Sequence, residues 1–234
     1  STTSYFWIAN MAFTLHGAPL SPFVRKVMYL LAISKTKYTL KVVVPGSVPD
    51  DFVSISPLKK IPVLQESDWY QADSSIICNY LIESLDHSSL TDLIPTNAKS
   101  RAQMRWLEKF ADYELAPLLT FTVFRQRVLL PMAGKAPNEE RIQETLSKHI
   151  PPLFNYLASQ LGTQDYFVDN HFSLADVAIT SQMISFMHGG EVIGNNWPTL
   201  SAYFERMLAL PTWQALVQRE QVTLNKILAS NTAL

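Results

Sequence analysis

Three short stretches of the chain carry side chains able to bind or stabilise charge. Ser21 follows a loop of Gly17, Ala18, Pro19 and Leu20 and precedes Pro22, a residue type favoured at a helix start. At such a strand-to-helix turn, free backbone amides and the positive end of the helix dipole favour an anion, so a hydroxyl there is placed to stabilise negative charge. Serine is also a favoured N-cap, and position alone leaves both readings open. The second stretch is SPLKKIPVL at 56–64. Ile61 followed by Pro62 directly before a strand is compatible with a cis peptide that turns the Ile61 amide and carbonyl toward solvent. The third is QADSSII at 71–77, where Asp73 offers a carboxylate for an ammonium group and Ser74 offers hydroxyl and amide donors for a carboxylate. Lys59 and Lys60 add positive charge. Together these groups suit a zwitterionic peptide gripped at both ends.

The elements that must position them alternate. A strand is expected over 13–16, then a helix from Pro22 whose apolar stripe is Val24, Val27, Met28 and Leu31, leaving Arg25 and Lys26 to face water. A β-branched run at 38–44 reads as a second strand, broken by the Pro/Gly/Ser/Asp stretch at 45–51. Residues 62–64 and 69–72 form a hairpin about a polar turn at 66–68. A helix then starts at Asp73 or Ser74, with Ile77, Tyr80, Leu81 and Ser84 or Leu85 on one face. The order is βαβ, an irregular stretch, then ββα.

Beyond a linker at 87–95 almost every segment has helical period. A long helix is expected from about residue 98 past 125, kinked at Pro117. Another follows Pro137, capped by Asn138 with Glu139 and Glu140 in its first turn. Pro151 and Pro152 must bend or interrupt it. Ser173 opens a very apolar helix, and further helices start near Thr199 and Pro211. The fold class is therefore α/β followed by all-α, with domains at 11–88 and 96–234 and an extension at 1–10.

Composition narrows the partners. With 47% hydrophobic residues in 234, the chain is long and apolar enough for buried cores. A formal net charge of -1 provides no sequence-wide basic field, so neither nucleic acid nor an anionic membrane is an expected partner. No apolar run approaches the roughly 20 residues of a bilayer span, and residues 1–11 lack the pattern of a secretory signal, which points to the cytoplasm. The single cysteine, Cys78, excludes internal disulfides and CxxC pairs and reads as a small core residue. No metal site is expected, and His16 and His188 are read as structural.

The series SPFVRKV at 21–27, KKIPVL at 59–64 and ADSSII at 72–77 resembles the glutathione site of the cytosolic glutathione transferases, most closely their serine-dependent branch with its plant and bacterial members. LIPTNAKSRAQMRWLEKFADYEL at 93–115 resembles the first helix of that family's second domain, and FSLADVAI at 172–179 its buried capping motif. The likeness runs from about 13 to 229. It implies a thioredoxin-like N-terminal domain and an all-helical C-terminal one, a homodimer, and glutathione as co-substrate in detoxification.

Carried over by residue, the resemblance makes Ser21 the catalytic group that hydrogen-bonds the glutathione sulfur. Ile61 and Pro62 become the backbone clamp on the cysteinyl part, Lys60, beside Lys59, the partner of the glycyl carboxylate, and Asp73 and Ser74 the grip on the γ-glutamyl end. Many relatives have Glu or Gln where Asp73 stands, so that contact is made by a shorter side chain. Asp112 reaches across a dimer interface or lies on a solvated helix face. Ala18 and Leu20, with Tyr113, Leu118, Phe121 and Phe124, are the candidates for an apolar second-substrate pocket. Within the capping motif, Ser173 and Asp176 can satisfy each other's backbone amides, a folding role.

The expected reaction is attack of glutathione thiolate on an electrophilic carbon. A cysteine thiol has a pKa of about 8.5, and ionising most of it near neutrality takes about two units, or about 2.7 kcal/mol. One hydrogen bond to a charged acceptor contributes about 1.5–3 kcal/mol and a helix N-terminus about 0.3–1 more, so no general base is required. A serine at this position cannot form the mixed disulfide of a thiol transferase. Two other readings fit the same residues: a non-catalytic binding or regulatory protein of this fold, and a specialised glutathione-dependent isomerase, dehalogenase or etherase.

Overall fold

The computed structural model describes residues 12–231, so the expected extension at 1–10 lies outside the described residues. The chain divides into two compact units between His87 and Ser88.

The first unit contains β1 (Phe13–Gly17), α1 (Pro22–Ile33), β2 (Tyr38–Val42), β3 (Val63–Glu66), β4 (Trp69–Ala72) and α2 (Ser74–Leu85). The sheet order is β2-β1-β3-β4, with β1 and β2 parallel and the β1/β3 and β3/β4 pairs antiparallel. This is the thioredoxin-like βαβ–ββα arrangement. Its core includes Phe13, Leu15, Val24, Val27, Leu31, Val63, Leu64, Ile77, Cys78 and Leu81. His16 is buried and its Nε2 lies 2.8 Å from Gln65 Oε1.

Two expectations fail here. Arg25 and Lys26 do not face water: they are 1% and 0% exposed. The reason lies one turn on, where the run VMYLLAI makes α1 apolar around its whole circumference, so it packs on more than one side and against α2. The Arg25 guanidinium reaches the Leu20 carbonyl at 3.4 Å. In α2 the buried face is Ile77, Cys78, Leu81 and Ile82, while Tyr80 turns aside to donate its hydroxyl hydrogen bond to Glu66 and sets its ring 4.5 Å from that of Trp69.

The second unit is helical: α3 (Ser88–Thr91), α4 (Ala98–Phe110), α5 (Leu130–Met132), α6 (Glu139–Glu144), α7 (Ile150–Leu161), α8 (Leu174–His188), α9 (Pro198–Ala209) and α10 (Pro211–Asn231). Pro117 does not produce a simple kink. From Ala111 to Leu129 the helix continues in wide, π-type turns, and the Thr122 hydroxyl donates to the Pro117 carbonyl at 2.8 Å. Proline removes one backbone donor, and a side-chain donor five residues on satisfies a carbonyl there. Pro151 and Pro152 sit at the start of α7, directly after a second wide turn at Thr145–His149 that carries the helix on from α6 without a break. Asn138 caps α6 by accepting from the Arg141 amide at 3.0 Å.

The centre of this unit is α8, buried along Leu174 to Phe186. Its capping box is present: Ser173 accepts first-turn amides while its own amide donates to Asp176 Oδ2 at 2.9 Å. Asp176 Oδ1 also accepts from the Tyr203 hydroxyl at 2.7 Å and the Phe167 amide at 3.4 Å. Burial pushes the Asp176 carboxyl up to about 6, against the pull of these hydrogen bonds, and pushes the Tyr203 hydroxyl well above its ordinary value. Arg127 ties the end of the wide-turned segment to the loop after α8, through Glu191 at 2.6 Å and the Gly189 carbonyl at 3.1 Å.

Candidate functional site

Strand register gathers the candidate peptide-binding groups of the first unit. Because β3 runs antiparallel to β1 with His16 opposite Val63, the residues before Val63 lie beside the end of β1. Because β4 is antiparallel to β3 with Val63 opposite Ala72, the residues after Ala72 lie there too. The Gly17–Ser21 loop, the Ile61–Pro62 corner and the Asp73–Ser74 helix start therefore lie at the same end of the sheet's strands. The Ser21 loop lies 40 or more positions from the other two because α1, β2 and the irregular stretch intervene, whereas only the β3–β4 hairpin separates the Ile61–Pro62 corner from Asp73.

Ser21 is the N-cap of α1, with extended backbone, and its Oγ accepts from the Val24 amide at a long 3.4 Å. The same loop is closed by the Ser21 amide donating to the Ala18 carbonyl at 3.0 Å. In this contact the hydroxyl is an acceptor, which leaves its own proton for an incoming anion. Capping and anion stabilisation are thus compatible in one side chain, and the two readings of this serine do not compete.

The Ile61–Pro62 peptide is cis. Lys59 and Lys60 are exposed in the turn before it, Lys59 with φ 55. Ser56, 1% exposed, holds this corner: its Oγ donates to the Lys60 carbonyl at 2.7 Å and accepts from the Lys60 amide at 3.2 Å. Sequence reasoning quoted Ser56 but gave it no role. The signal was there, since a serine ahead of proline commonly bonds to backbone a few residues on.

Asp73 takes φ 74 and caps α2 through Oδ1, which accepts from the Ser75 amide at 2.9 Å and the Ile76 amide at 3.1 Å. It remains exposed. Ser74 is 6% exposed, and its Oγ accepts from the buried Lys26 ammonium at 3.2 Å. Ala18 and Leu20 are half-buried on the Ser21 loop.

The pocket candidates of the helical unit divide among themselves. Tyr113 is 62% and Phe121 50% exposed, Leu118 is half-buried, and Phe124 is 2% exposed with its ring 6.5 Å from His188. The Lys109 ammonium lies 5.1 Å over the Tyr113 ring. Asp112 is half-buried. His188 is buried 3.8 Å from Glu220 in the helical core.

Comparison with known proteins follows the same division. The family profile described as glutathione S-transferase, N-terminal domain, matches residues 15–88, and that for the C-terminal domain matches 110–211, together more than half of the chain. Glutathione S-transferase F13 of Arabidopsis thaliana is 25% identical over 87% of this chain and 94% of its own length. A stringent starvation protein A homolog of Haemophilus ducreyi is 26% identical over 78% of each. Among solved structures, the apo form of human glutathione S-transferase T1-1 superposes with a TM-score of 0.80 at 20% identity, covering 92% of this chain and 90% of its own; at that identity the likeness speaks for the fold.

Proposed function

The chain belongs to the glutathione S-transferase family, and from that premise we propose that it is a glutathione transferase that uses Ser21 to keep the glutathione sulfur anionic. What supports this most is the register of β1, β3 and β4, which brings the Ser21 loop, the cis Ile61–Pro62 corner and the Asp73–Ser74 helix start to one end of the sheet's strands. In the proposed complex, the Ser21 hydroxyl donates to sulfur at the N-terminus of α1. The Ile61 backbone meets the cysteinyl unit, Lys60 with Lys59 nearby faces the glycyl carboxylate, and Asp73 and Ser74 take the γ-glutamyl ammonium and carboxylate.

The thiolate attacks an electrophilic carbon, forming a C–S bond by addition or by expelling a leaving group, and the thiol proton goes to solvent. The electrophile is largely apolar, and on the helical unit the exposed Tyr113 and Phe121 and the half-buried Leu118 are the residues offered for it, whereas Phe124 is buried in that unit's core. The protein works as a cytoplasmic homodimer. Among the described residues no helix is long and apolar enough to cross a membrane.

A second reading, a peptide-binding protein without turnover, draws support from the Haemophilus ducreyi relative, whose name is not that of a transferase. Thermal-shift titration with glutathione, run beside conjugation to a generic aromatic electrophile, separates the two. The enzyme reading requires both binding and turnover, with turnover reduced about tenfold or more in Ser21→Ala. Binding without turnover selects the second reading, and no binding refutes both.

A further inference from the structure

What Ser56 does for a ligand follows from the planarity of one peptide group. Its backbone is committed on both sides: the amide donates to the Phe52 carbonyl and the carbonyl accepts from the Lys59 amide, both at 2.9 Å. Its Oγ accepts from the Lys60 amide at 3.2 Å and donates to the Lys60 carbonyl at 2.7 Å. Phe52 is buried in a cluster with Val43 and Val63, against which the Ile61 side chain packs, so the turn is fastened to the core of its unit. The bond to the Lys60 carbonyl fixes more than Lys60. That carbonyl shares a planar unit with the Ile61 amide, and in a trans peptide such as this one C=O and N–H point in opposite directions. Ser56 is 1% exposed, so the carbonyl is held inward and the Ile61 N–H is turned outward. Among the described residues nothing accepts from that N–H and nothing donates to the Ile61 carbonyl. A backbone donor held in one direction with no internal partner is set for an external acceptor.

We propose that Ser56 is a positioning residue for ligand recognition: its hydroxyl locks the Lys60–Ile61 peptide plane so that the Ile61 amide donates to a backbone carbonyl of a bound peptide. The inference deepens the proposed function and rests on it, that acceptor being the cysteinyl carbonyl of glutathione. Ser56 acts through the Lys60 carbonyl and does not itself touch the ligand. An alanine in its place frees the plane to turn, and the Ile61 donor is lost by reorientation.

The test is calorimetric titration of the full-length chain with three ligands: glutathione; γ-glutamylcysteinamide, which keeps the cysteinyl carbonyl but lacks glycine; and γ-glutamylcysteamine, which lacks both. Wild type binds the cysteinamide about 3–10-fold more tightly than the cysteamine. In Ser56→Ala that ratio falls to within about twofold of one: glutathione and the cysteinamide weaken by the same factor, and the cysteamine is unchanged. Equal weakening of all three means a serine that only supports the fold and overturns the proposal, as do three unchanged affinities. Weakening confined to glutathione means that Ser56 serves the Lys60 side chain at the glycyl carboxylate, and overturns it too. Should Ser56→Ala melt below the assay temperature, the wild-type ratio decides, because a value near one removes the Ile61 donor. Wild type that binds none of the three refutes the proposed function itself, an outcome distinct from these.

Discussion

Asp176 offers a prediction whose size and sign both follow from the structure. Its carboxylate is fully buried and accepts from the Ser173 amide, the Phe167 amide and the Tyr203 hydroxyl. Asp176→Ala leaves these donors without their acceptor and removes the cap of α8. A loss of roughly 2–4 kcal/mol is expected, or roughly 5–15 °C in Tm for a chain of this size. The pH dependence is more discriminating. Burial raises the folded carboxyl from 3.8 to about 6, so the native state binds the proton more tightly than the unfolded chain. The stability this group contributes is fully present below 3.8 and is lost as pH rises through about 6. Between about pH 7.5 and about pH 5 wild type should gain about 1.4 kcal/mol from it, a gain the alanine variant lacks. Urea unfolding of both proteins in matched buffers reads the difference, which should widen as the solution is acidified. A gap that stays constant or narrows over that interval would show that burial does not dominate the hydrogen bonds at Asp176.

The other expectations are simpler to read. Ser56→Ala removes the side chain that bonds both the amide and carbonyl of Lys60, so KM for glutathione should rise roughly 3–10-fold with kcat within about twofold, as steady-state kinetics would show. Gly189→Ala puts a methyl 2.9 Å from Val123 Cγ1 and 3.2 Å from the Phe124 amide nitrogen, and should lower stability in denaturation by about 1–3 kcal/mol. Arg127→Gln should cost about 1 kcal/mol or less, because its ion pairs are partly exposed, and its effect should shrink in salt and add less than fully to that of Glu191→Gln.

Much of the architecture was legible because local signals agreed with global packing. Proline at the start of α1, the turn of β3–β4 and the caps at Asn138 and Ser173 all act over a few residues, where sequence is most informative. Lys26 was misread because periodicity assigns charged residues to water, whereas the apolar run after it covers the helix all round. The wide turns around Pro117 were illegible for a different reason: proline announces a lost hydrogen bond but not that the helix carries on through it in widened turns. At the site, the residue types were readable one by one. Their convergence depends on pairings between residues 16 and 63 and between 63 and 72, and Ser56 and Lys26 support it through contacts no spacing rule reveals.

The sharpest measurement is the ionisation of glutathione bound to the wild-type chain and to Ser21→Ala, followed by the ultraviolet absorbance of the thiolate as pH is raised. A donating Ser21 hydroxyl predicts a bound thiol that ionises about two units below the free value of about 8.5 in wild type, and within about half a unit of it in the variant. The same midpoint in both proteins, or no depression in wild type, would contradict a role for Ser21 in holding the sulfur as an anion.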